Sequence, residues 1–173
     1  GPEQIRQMSR NIRGLNLATK VTPFELCRVA DIGNAPSNPA EIPKSIEAIT
    51  TFCKQVCASG ALPLAVGGDH TIALPMLRAL KEAHGPINVV HFDAHPDTWD
   101  AFSDDFSGRY NSGTPFRRAF EEGLTDPSKH IMIGIRGTML NTPEFLEGYE
   151  WAEKQGMTVL WMDECFELGA KGI

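Results

Sequence analysis

Several features that mark specialised classes of protein are scarce or missing in this sequence. It contains no basic block, and 16 lysine and arginine residues face 22 acidic residues, for a net charge of −6. This charge pattern does not indicate binding to nucleic acid or to an anionic membrane. The longest apolar stretch, Ala61 to Val66, is far too short to cross a bilayer, and no signal peptide opens the chain. We therefore expect neither a nucleic-acid partner nor a membrane partner.

Cysteine is also sparse, and its spacing argues against the common cysteine-based sites. The four cysteines form no CxxC pair and no zinc-finger pattern. Cys53 and Cys57 share one face of a predicted helix with Ile46 and Ile49. We interpret the two cysteines as small buried apolar residues, with a metal or redox role as the alternative. Reduced thiols fit a cytoplasmic compartment, which is the location we predict.

The residues that are present have the proportions of an ordinary globular domain. Apolar residues make up 42% and charged residues 22% of the chain, which favours a packed core over disorder or a coiled coil. The sequence contains no internal repeat, no low-complexity tract and no recognisable domain boundary. We therefore predict a single domain over residues 1–173.

Short apolar runs alternate with helical patterns along the chain. The runs are typical of strands that are covered on both faces, and they predict strands at Leu26–Ile32, Leu62–Val66, Ile87–Phe92, His130–Ile135 and Met157–Met162. Apolar residues at a spacing of three to four predict helices at Ile42–Ala58, Ile72–Ala83, Phe116–Glu122 and Pro143–Lys154. This order predicts an α/β fold with a parallel sheet, right-handed crossovers and helices on both faces.

One long segment, from Asp97 to Thr114, interrupts this alternation. Loops of this length within a compact domain are often functional. Its acidic part, Asp97 to Asp105, is suited to attract a cationic ligand. We expect its aromatic residues to hold the segment against the domain, with one of them shaping a substrate entrance: Trp99, Phe102, Phe106 and Tyr110.

The strongest chemical signal is the run Asp93-Ala94-His95-Pro96-Asp97, which follows a predicted strand. Alternate residues of an extended segment point to the same side, so Asp93, His95 and Asp97 can converge. Open α/β sheets bind ligands beyond the carboxyl ends of their strands. Three ionisable groups beside a buried strand are costly unless something compensates them, which indicates a divalent metal. His91 has the same parity as Asp93, and we interpret it as a core residue or a support for the ligands.

A second signal, Gly67-Gly68-Asp69-His70-Thr71, also follows a predicted strand and opens a helix. The two glycines permit a tight turn, and His70 would then lie at the same edge of the sheet as Asp93. Asp69 is either the N-cap of the helix or a further carboxylate at the site. A phosphate cradle is the weaker alternative, because the Lys-Ser/Thr ending of a P-loop is missing.

Other polar residues have simpler interpretations. His84 and His130 lie at a helix end and at a strand start, and we predict that both are on the surface. Arg117 and Arg118 lie near two glutamates of the same predicted helix, which favours a solvated face with helical ion pairs. Arg136 follows a strand and is expected to line its rim or to bridge subunits.

Taken together, the motifs resemble those of the ureohydrolase family, which includes arginase and agmatinase, and the later ones are closer to agmatinase and guanidinobutyrase. The resemblance covers nearly the whole chain and rests on Gly67-Gly68-Asp69-His70, Asp93-Ala94-His95-Pro96-Asp97, Gly113-Thr114-Pro115-Phe116-Arg117-Arg118 and Ile133-Gly134-Ile135-Arg136-Gly137. It implies a three-layer α/β/α fold that is incomplete at both ends. The family's first strand and its later Asp-x-Asp-x-x-Asp-Pro metal-binding strand are not among residues 1–173.

The resemblance also implies a reaction. Two divalent metal ions, most often Mn²⁺ and alternatively Ni²⁺, would be held by His70, Asp93, His95 and Asp97. His70 and Asp97 would bind one ion, His95 the other, and Asp93 would bridge both, with Asp97 also catalytic. A bridging hydroxide would attack the guanidinium carbon of agmatine, guanidinobutyrate or a similar substrate, releasing urea and an amine. The implied assembly is a homo-oligomer, either a trimer or a hexamer.

One position departs from the family pattern. Agmatinase-like sequences usually have His immediately before Gly-Thr, whereas this chain has Ser112, preceded by Asn111. We place both residues next to the substrate, where a hydroxyl cannot act as a neutral-pH acid–base in the way that imidazole does. The proton route, the substrate or the activity should therefore differ. The alternative function is a non-catalytic or truncated homologue that acts as a structural subunit; a metal-dependent deacetylase fits the motifs less well.

Overall fold

Three parallel strands form the centre of the computed structural model, which describes residues 1–102, 106–137 and 143–173. The strands are β1 Ile87–Phe92, β2 Thr125–Ile135 and β3 Thr158–Trp161. Their order is β1-β2-β3, and both pairings are parallel. The register places His91 of β1 beside Met132 of β2. The predicted parallel α/β fold is confirmed.

Helices connect and flank these strands. They are α1 Pro2–Ser9, α2 Pro23–Leu26, α3 Ile42–Ala58, α4 Ala73–His84, α5 Phe106–Arg109, α6 Pro115–Glu121, α7 Pro143–Lys154 and α8 Met162–Gly172, with one 3-10 turn at His70–Ile72. The bounds of α3 and α7 agree with the prediction. Proline in the first turn suits helices such as α3 and α6, because its fixed φ favours the helix and its missing N–H costs nothing there. Among the described helices, none combines the length and the apolar character that crossing a membrane requires.

Two groups of buried side chains form the core. Helix α4 packs against α3, α6 and β1, and this contact buries Ile46, Leu74, Leu77, Phe116, Ala119 and Leu124. The second group joins the strands to α7 and consists of Trp99, Met132, Ile135, Tyr149, Ala152 and Met157. Cys53 is buried, as predicted, whereas Cys57 is only half-buried. Burial of this apolar surface, at about 25 cal/mol per Å² removed from water, supplies the main driving force for the fold.

Two of the predicted strands are wrong. The segment Leu26–Ile32 starts in the last residue of α2 and continues without regular structure, and Leu62–Val66 forms no ladder. Leu62 and Leu64 are 84% and 89% exposed. A strand requires a neighbouring strand to receive its N–H and C=O groups, and the described residues offer none to either segment. An apolar sequence favours a strand, but the strand forms only where a neighbouring strand is available to pair with it.

His130 is also misplaced by the sequence pattern, because its side chain is 1% exposed rather than on the surface. Strand β2 begins at Thr125, ahead of the predicted start, so His130 lies well inside the strand. Its ring meets Phe116 edge-on at 5.0 Å between centroids, and neither ring nitrogen has a hydrogen-bond partner. Burial and the nearby His91 lower the pKa of His130 to about 4. His84 is exposed, as predicted.

The two arginines of α6 differ from the predicted solvated face. Arg118 is 2% exposed, because α6 packs against α4 and β2. Arg117 keeps 15% of its side chain exposed and places its guanidinium 4.1 Å from the centre of the Trp151 ring. This geometry allows a cation–π contact, which explains why Arg117 stays at the surface of the second core group.

We expect the free energy of unfolding to fall as the pH drops from 6.5 toward 4. The folded-state pKa of His130 lies below its ordinary value of 6.5, so the unfolded chain binds this proton first. Full stability is therefore present above pH 6.5, and the His130 contribution to the loss is ~3 kcal/mol over this window. His130→Gln should lower stability at pH 7.5 and remove the His130 share of this slope, which urea unfolding at closely spaced pH values measures. His84→Gln is the control, and an unchanged slope in His130→Gln would contradict the assignment.

Candidate metal centre

The sheet itself positions the first group of polar residues. Directly after β1, the N–H of Asp93 donates to the carbonyl of Ile133 at 3.2 Å. The carbonyl of Ala94 then accepts the N–H groups of Arg136 and Gly137 at 2.9 and 3.0 Å. These bonds extend the pairing of β1 with β2 beyond the end of β1. Asp93 and His95 are therefore fixed by backbone contacts at the carboxyl edge of the sheet.

A turn that contains two glycines places His70 at the same carboxyl edge of the sheet. Gly67 and Gly68 have φ values of +138° and +43°, a region that other residues rarely adopt. A Cβ on Gly67 would also lie 2.7 Å from Cγ of Pro2. Asp69 accepts the N–H of Thr71 through Oδ1 at 2.8 Å, so it is the N-cap of the 3-10 turn. His70 is the first residue of that turn, and its side chain extends toward Asp97.

The imidazole of His70 contacts two carboxylates. Its Nδ1 is hydrogen-bonded to Oδ2 of Asp97 and lies 3.5 Å from Oδ2 of Asp93. The hydrogen bond to Asp97 raises the pKa of His70 and outweighs the effect of its partial burial. Asp97 is 5% exposed and has a φ of +50°, in the left-handed region that few residues other than glycine occupy. Strained backbone of this kind is concentrated at functional sites.

The carboxylate of Asp93 faces imidazoles on two sides. Oδ2 lies 3.5 Å from Nδ1 of His70 and 3.4 Å from Nε2 of His91. Oδ1 accepts the backbone N–H of His95 at 3.0 Å and lies 3.6 Å from Nδ1 of its ring. Burial opposes ionisation of Asp93, but the N–H of His95 and the neighbouring imidazoles outweigh it and lower the pKa of the carboxyl group. Gly137 leaves room for the His95 ring, since a Cβ there would approach Nε2 to 2.5 Å.

The structure therefore brings His70, Asp93 and Asp97 together and adds a residue that the motifs treated as secondary. His91 belongs with them to a group whose ligand atoms all lie within 4.8 Å of one another. Its ring is 5% exposed and packs against Phe116 at 4.3 Å between centroids, and burial lowers its pKa. The parity of His91 with Asp93 was the only signal in the sequence for this position. His95 lies at the opposite oxygen of Asp93 rather than inside this group.

An open cavity of about 610 Å³ adjoins the cluster. Besides the predicted ligands His70, Asp93, His95 and Asp97, the residues that line it are Trp99, Phe102, Gly108, Asn111, Ser112 and Gly113. Trp99 is 4% exposed and Phe102 is 44% exposed, so the first packs into the core while the second lies near the opening. Asn111 and Ser112 thus line the cavity, as expected for residues near a substrate. Asp104, Asp105 and the side chain of Phe106, which the sequence also singled out, lie outside the described residues.

These donors suit a divalent metal. Imidazole nitrogens and carboxylate oxygens are the ligands of borderline-to-hard ions such as Mn²⁺, Ni²⁺ and Zn²⁺. Neither ring nitrogen of the buried His91 has a hydrogen-bond partner, although one faces Asp93. Buried polar groups are normally compensated, so a cation between these side chains would satisfy the cluster. The residues that are present therefore fit a metal ion.

Comparisons with known proteins agree with this site. The model of the Arginase family matches residues 1–173. A guanidinopropionase from Pseudomonas aeruginosa is 43% identical over 171 residues, which cover 99% of this chain and 52% of that protein. The mitochondrial agmatinase of Gallus gallus is 40% identical over 96% of this chain and 47% of its own length. Among solved structures, the proclavaminate amidino hydrolase of Streptomyces clavuligerus superposes with a TM-score of 0.86 at 37% identity, covering 99% of this chain and 55% of that one.

The chain belongs to the Arginase family. Members of this family use a binuclear metal site, and the relatives named here act on guanidino or amidino compounds, as their names state. The predicted resemblance to the agmatinase side of the family is confirmed. The chain spans about half the length of the curated relatives that it matches.

We expect Asp93→Asn to abolish tight metal binding by the complete natural polypeptide that contains this sequence. An amide is a poorer ligand than a carboxylate for a hard cation and brings no charge to either ion. Loss of a supporting group typically costs ~10–100-fold in metal affinity, so removal of a carboxylate that faces three imidazoles of the site should cost at least that. Elemental analysis after dialysis against Mn²⁺ measures the occupancy.

Asp69→Asn is the matched control, because asparagine caps a helix as well as aspartate does. Its neighbour His70 lies in the cluster, but its own carboxylate faces the N–H of Thr71. This variant should bind metal like the unmodified protein. Two ions bound with unchanged affinity in Asp93→Asn would show that Asp93 does not bridge them.

Proposed function

We propose that the protein is a metal-dependent hydrolase that converts a small guanidino compound to urea and an amine. The observation that carries this proposal is the position of Asp93, with Oδ2 toward His70 and Oδ1 toward His95 at the wall of an open cavity. A carboxylate that presents its two oxygens to different imidazoles is suited to bridge two metal ions. Relatives named guanidinopropionase, guanidinobutyrase and agmatinase support a guanidino substrate.

Each predicted ligand has its own role in the proposed reaction. In our proposal His70, Asp93, His95 and Asp97 would hold two metal ions, with Asp93 shared between the His70–Asp97 side and the His95 side. Divalent ions such as Mn²⁺, when bound there, would supply hydroxide near neutral pH, which a poorly electrophilic guanidinium carbon requires. The carboxylates of Asp93 and Asp97 balance the metal charge and attract the cationic substrate into the cavity. We assign Asp97 a catalytic role as well, because it lines the cavity and holds His70 in place.

The cavity is lined by both apolar and polar side chains, which suit the two ends of such a substrate. Trp99 and Phe102 offer flat surfaces to an alkyl chain or to the face of a guanidinium group. Asn111 and Ser112, beside them, offer hydrogen-bonding groups, and neither is an imidazole. We propose agmatine, guanidinobutyrate and guanidinopropionate as the compounds to test first, with a homo-oligomer as the active assembly.

We expect the complete natural polypeptide, loaded with Mn²⁺, to release urea from at least one guanidino compound. The assay measures urea from agmatine, guanidinobutyrate, guanidinopropionate and arginine across a pH range, and chelation followed by addition of Mn²⁺ or Ni²⁺ identifies the ion. Asp97→Asn should abolish turnover. Bound metal with no turnover of any guanidino compound would contradict the proposed reaction and favour a non-catalytic subunit.

We also expect Ser112→His to retain or raise activity on agmatine-like substrates. The imidazole would restore a group able to transfer protons near neutral pH, so the gain should be largest where imidazole titrates. Well-placed acid–base help is worth ~10²–10⁴-fold, and a graft into this loop should give less. Ser128→His, at an exposed position of β2, is the matched control. A fast wild type that Ser112→His inactivates would show instead that Ser112 determines specificity.

A further inference from the structure

The buried guanidinium of Arg118 occupies a place that the proposed reaction leaves unexplained. It is 2% exposed, one of the largest fully buried side chains in the described part of the molecule. Burying a charge is costly, and an apolar residue of similar size is often at least as stabilising. Stability alone is therefore a weak reason for an arginine at this position. The contacts of Arg118 indicate a role in positioning other residues.

Ion pairs connect α6 to Asp100 and Arg109, which are close in sequence to residues that line the cavity. Nη2 of Arg118 donates to Oδ1 of Asp100 at 2.6 Å and to Oε1 of Glu121 at 3.0 Å. Arg109 completes the arrangement, since its Nη1 lies 3.2 Å from Asp100 and its Nη2 lies 3.4 Å from Glu121. We call Asp100, Arg109, Arg118 and Glu121 the wall clamp. Its carboxylates are partly exposed, and Arg118 is the member that lies inside the protein.

The wall clamp brackets the residues that line the cavity. Asp100 follows Trp99, and Arg109 lies directly between Gly108 and the turn that carries Asn111 and Ser112. The hydroxyl of Thr114 donates to the carbonyl of Arg109 at 2.8 Å, and the N–H of Arg118 donates to the carbonyl of Thr114 at 3.1 Å. The N–H of Trp99 donates to the carbonyl of Gly113 at 3.2 Å, which joins the two sides of the wall. The position of the wall thus depends on where Arg118 holds Asp100.

Helix α6 contacts the metal cluster through a different residue. The ring of Phe116 lies 4.3 Å from that of His91 and 5.5 Å from that of His70, and its N–H donates to the carbonyl of Asp97 at 3.1 Å. Arg118 makes none of these contacts among the described residues. The wall and the metal cluster therefore rest on separate side chains of one helix, and the two effects can be separated by mutation.

We propose that Arg118 is a positioning residue that sets the affinity for substrate by holding, through Asp100, the cavity wall that contains Trp99, Asn111 and Ser112. The inference rests on the proposed function, because its kinetic readout requires turnover of a guanidino compound. Both hydrogen bonds come from one nitrogen, Nη2, while Nε and Nη1 are buried without a hydrogen-bond partner among the described residues. A lysine ammonium would end about one bond short of Nη2, so it should not reach Asp100 and Glu121 together.

The test compares Arg118→Met, Arg118→Lys and Asp100→Asn with Arg78→Lys. Arg78 is an arginine of α4 whose guanidinium pairs with Glu47 and Glu122, neither of which belongs to the clamp. In the complete metal-loaded polypeptide, the first three should raise KM for the best guanidino substrate by about tenfold, because a displaced wall loses contacts that bind the substrate and its transition state equally. Metal content should stay unchanged and kcat should change far less than KM. Arg78→Lys should leave both constants near wild type.

Two further readouts separate positioning from a general loss of structure. Asp100→Asn combined with Arg118→Met should raise KM no more than Arg118→Met alone, because residues that act through one contact are not additive. Hydrogen exchange should quicken at residues 106–114 in Arg118→Met while α3 keeps its protection. If Arg118→Met does not fold, Arg118→Lys and Asp100→Asn carry the same comparison.

Unchanged KM in Arg118→Lys and Asp100→Asn, or full additivity in the double variant, would overturn the proposal. An inactive wild type would instead refute the proposed function and leave hydrogen exchange as the measure of the clamp. In that case, unchanged exchange at residues 106–114 in Arg118→Met would overturn the clamp as well.

Discussion

The pairing of β1 with β2 is the constraint on which the site depends. It continues past Phe92 through the bonds of Asp93 to Ile133 and of Ala94 to Arg136 and Gly137. Side chains alternate along an extended chain, so a slip of one residue would turn Asp93 away from His70. Backbone hydrogen bonds between parallel strands thus determine where the residues of the donor cluster lie. Contacts among the side chains then fix their orientations.

Helix α6 connects the donor cluster at the sheet edge to the wall of the cavity. Its first turn touches the cluster through Phe116, and its next residues hold the cavity wall through Arg118. The opening of the cavity and the geometry of its donors are therefore coupled through one short helix. Because α6 also packs against α4, both depend on the core that buries Leu74 and Leu77. A substitution deep in that core can alter the site without contacting it.

The sequence predicts the features that local patterns encode. The parallel α/β order, the bounds of α3 and the convergence of His70 with Asp93 follow from periodicity and from polar residues at strand ends. Errors arise where a distant partner decides the outcome. Leu62–Val66 has the composition of a strand but no neighbour among the described residues, and His130 looks peripheral until β2 is seen to begin at Thr125. Arg118 has the local pattern of a helical ion pair, yet its burial depends on α4 and β2.

Strand β1 has a further consequence for how this chain behaves in solution. Within the described ranges it lies at the edge of the sheet, and Val90 and Phe92 are 64% and 73% exposed. An open edge with apolar side chains is a template for adding another strand. Residues 1–173 produced alone would therefore tend to associate through β1 at high concentration. A polypeptide segment that covers this edge should reduce that association.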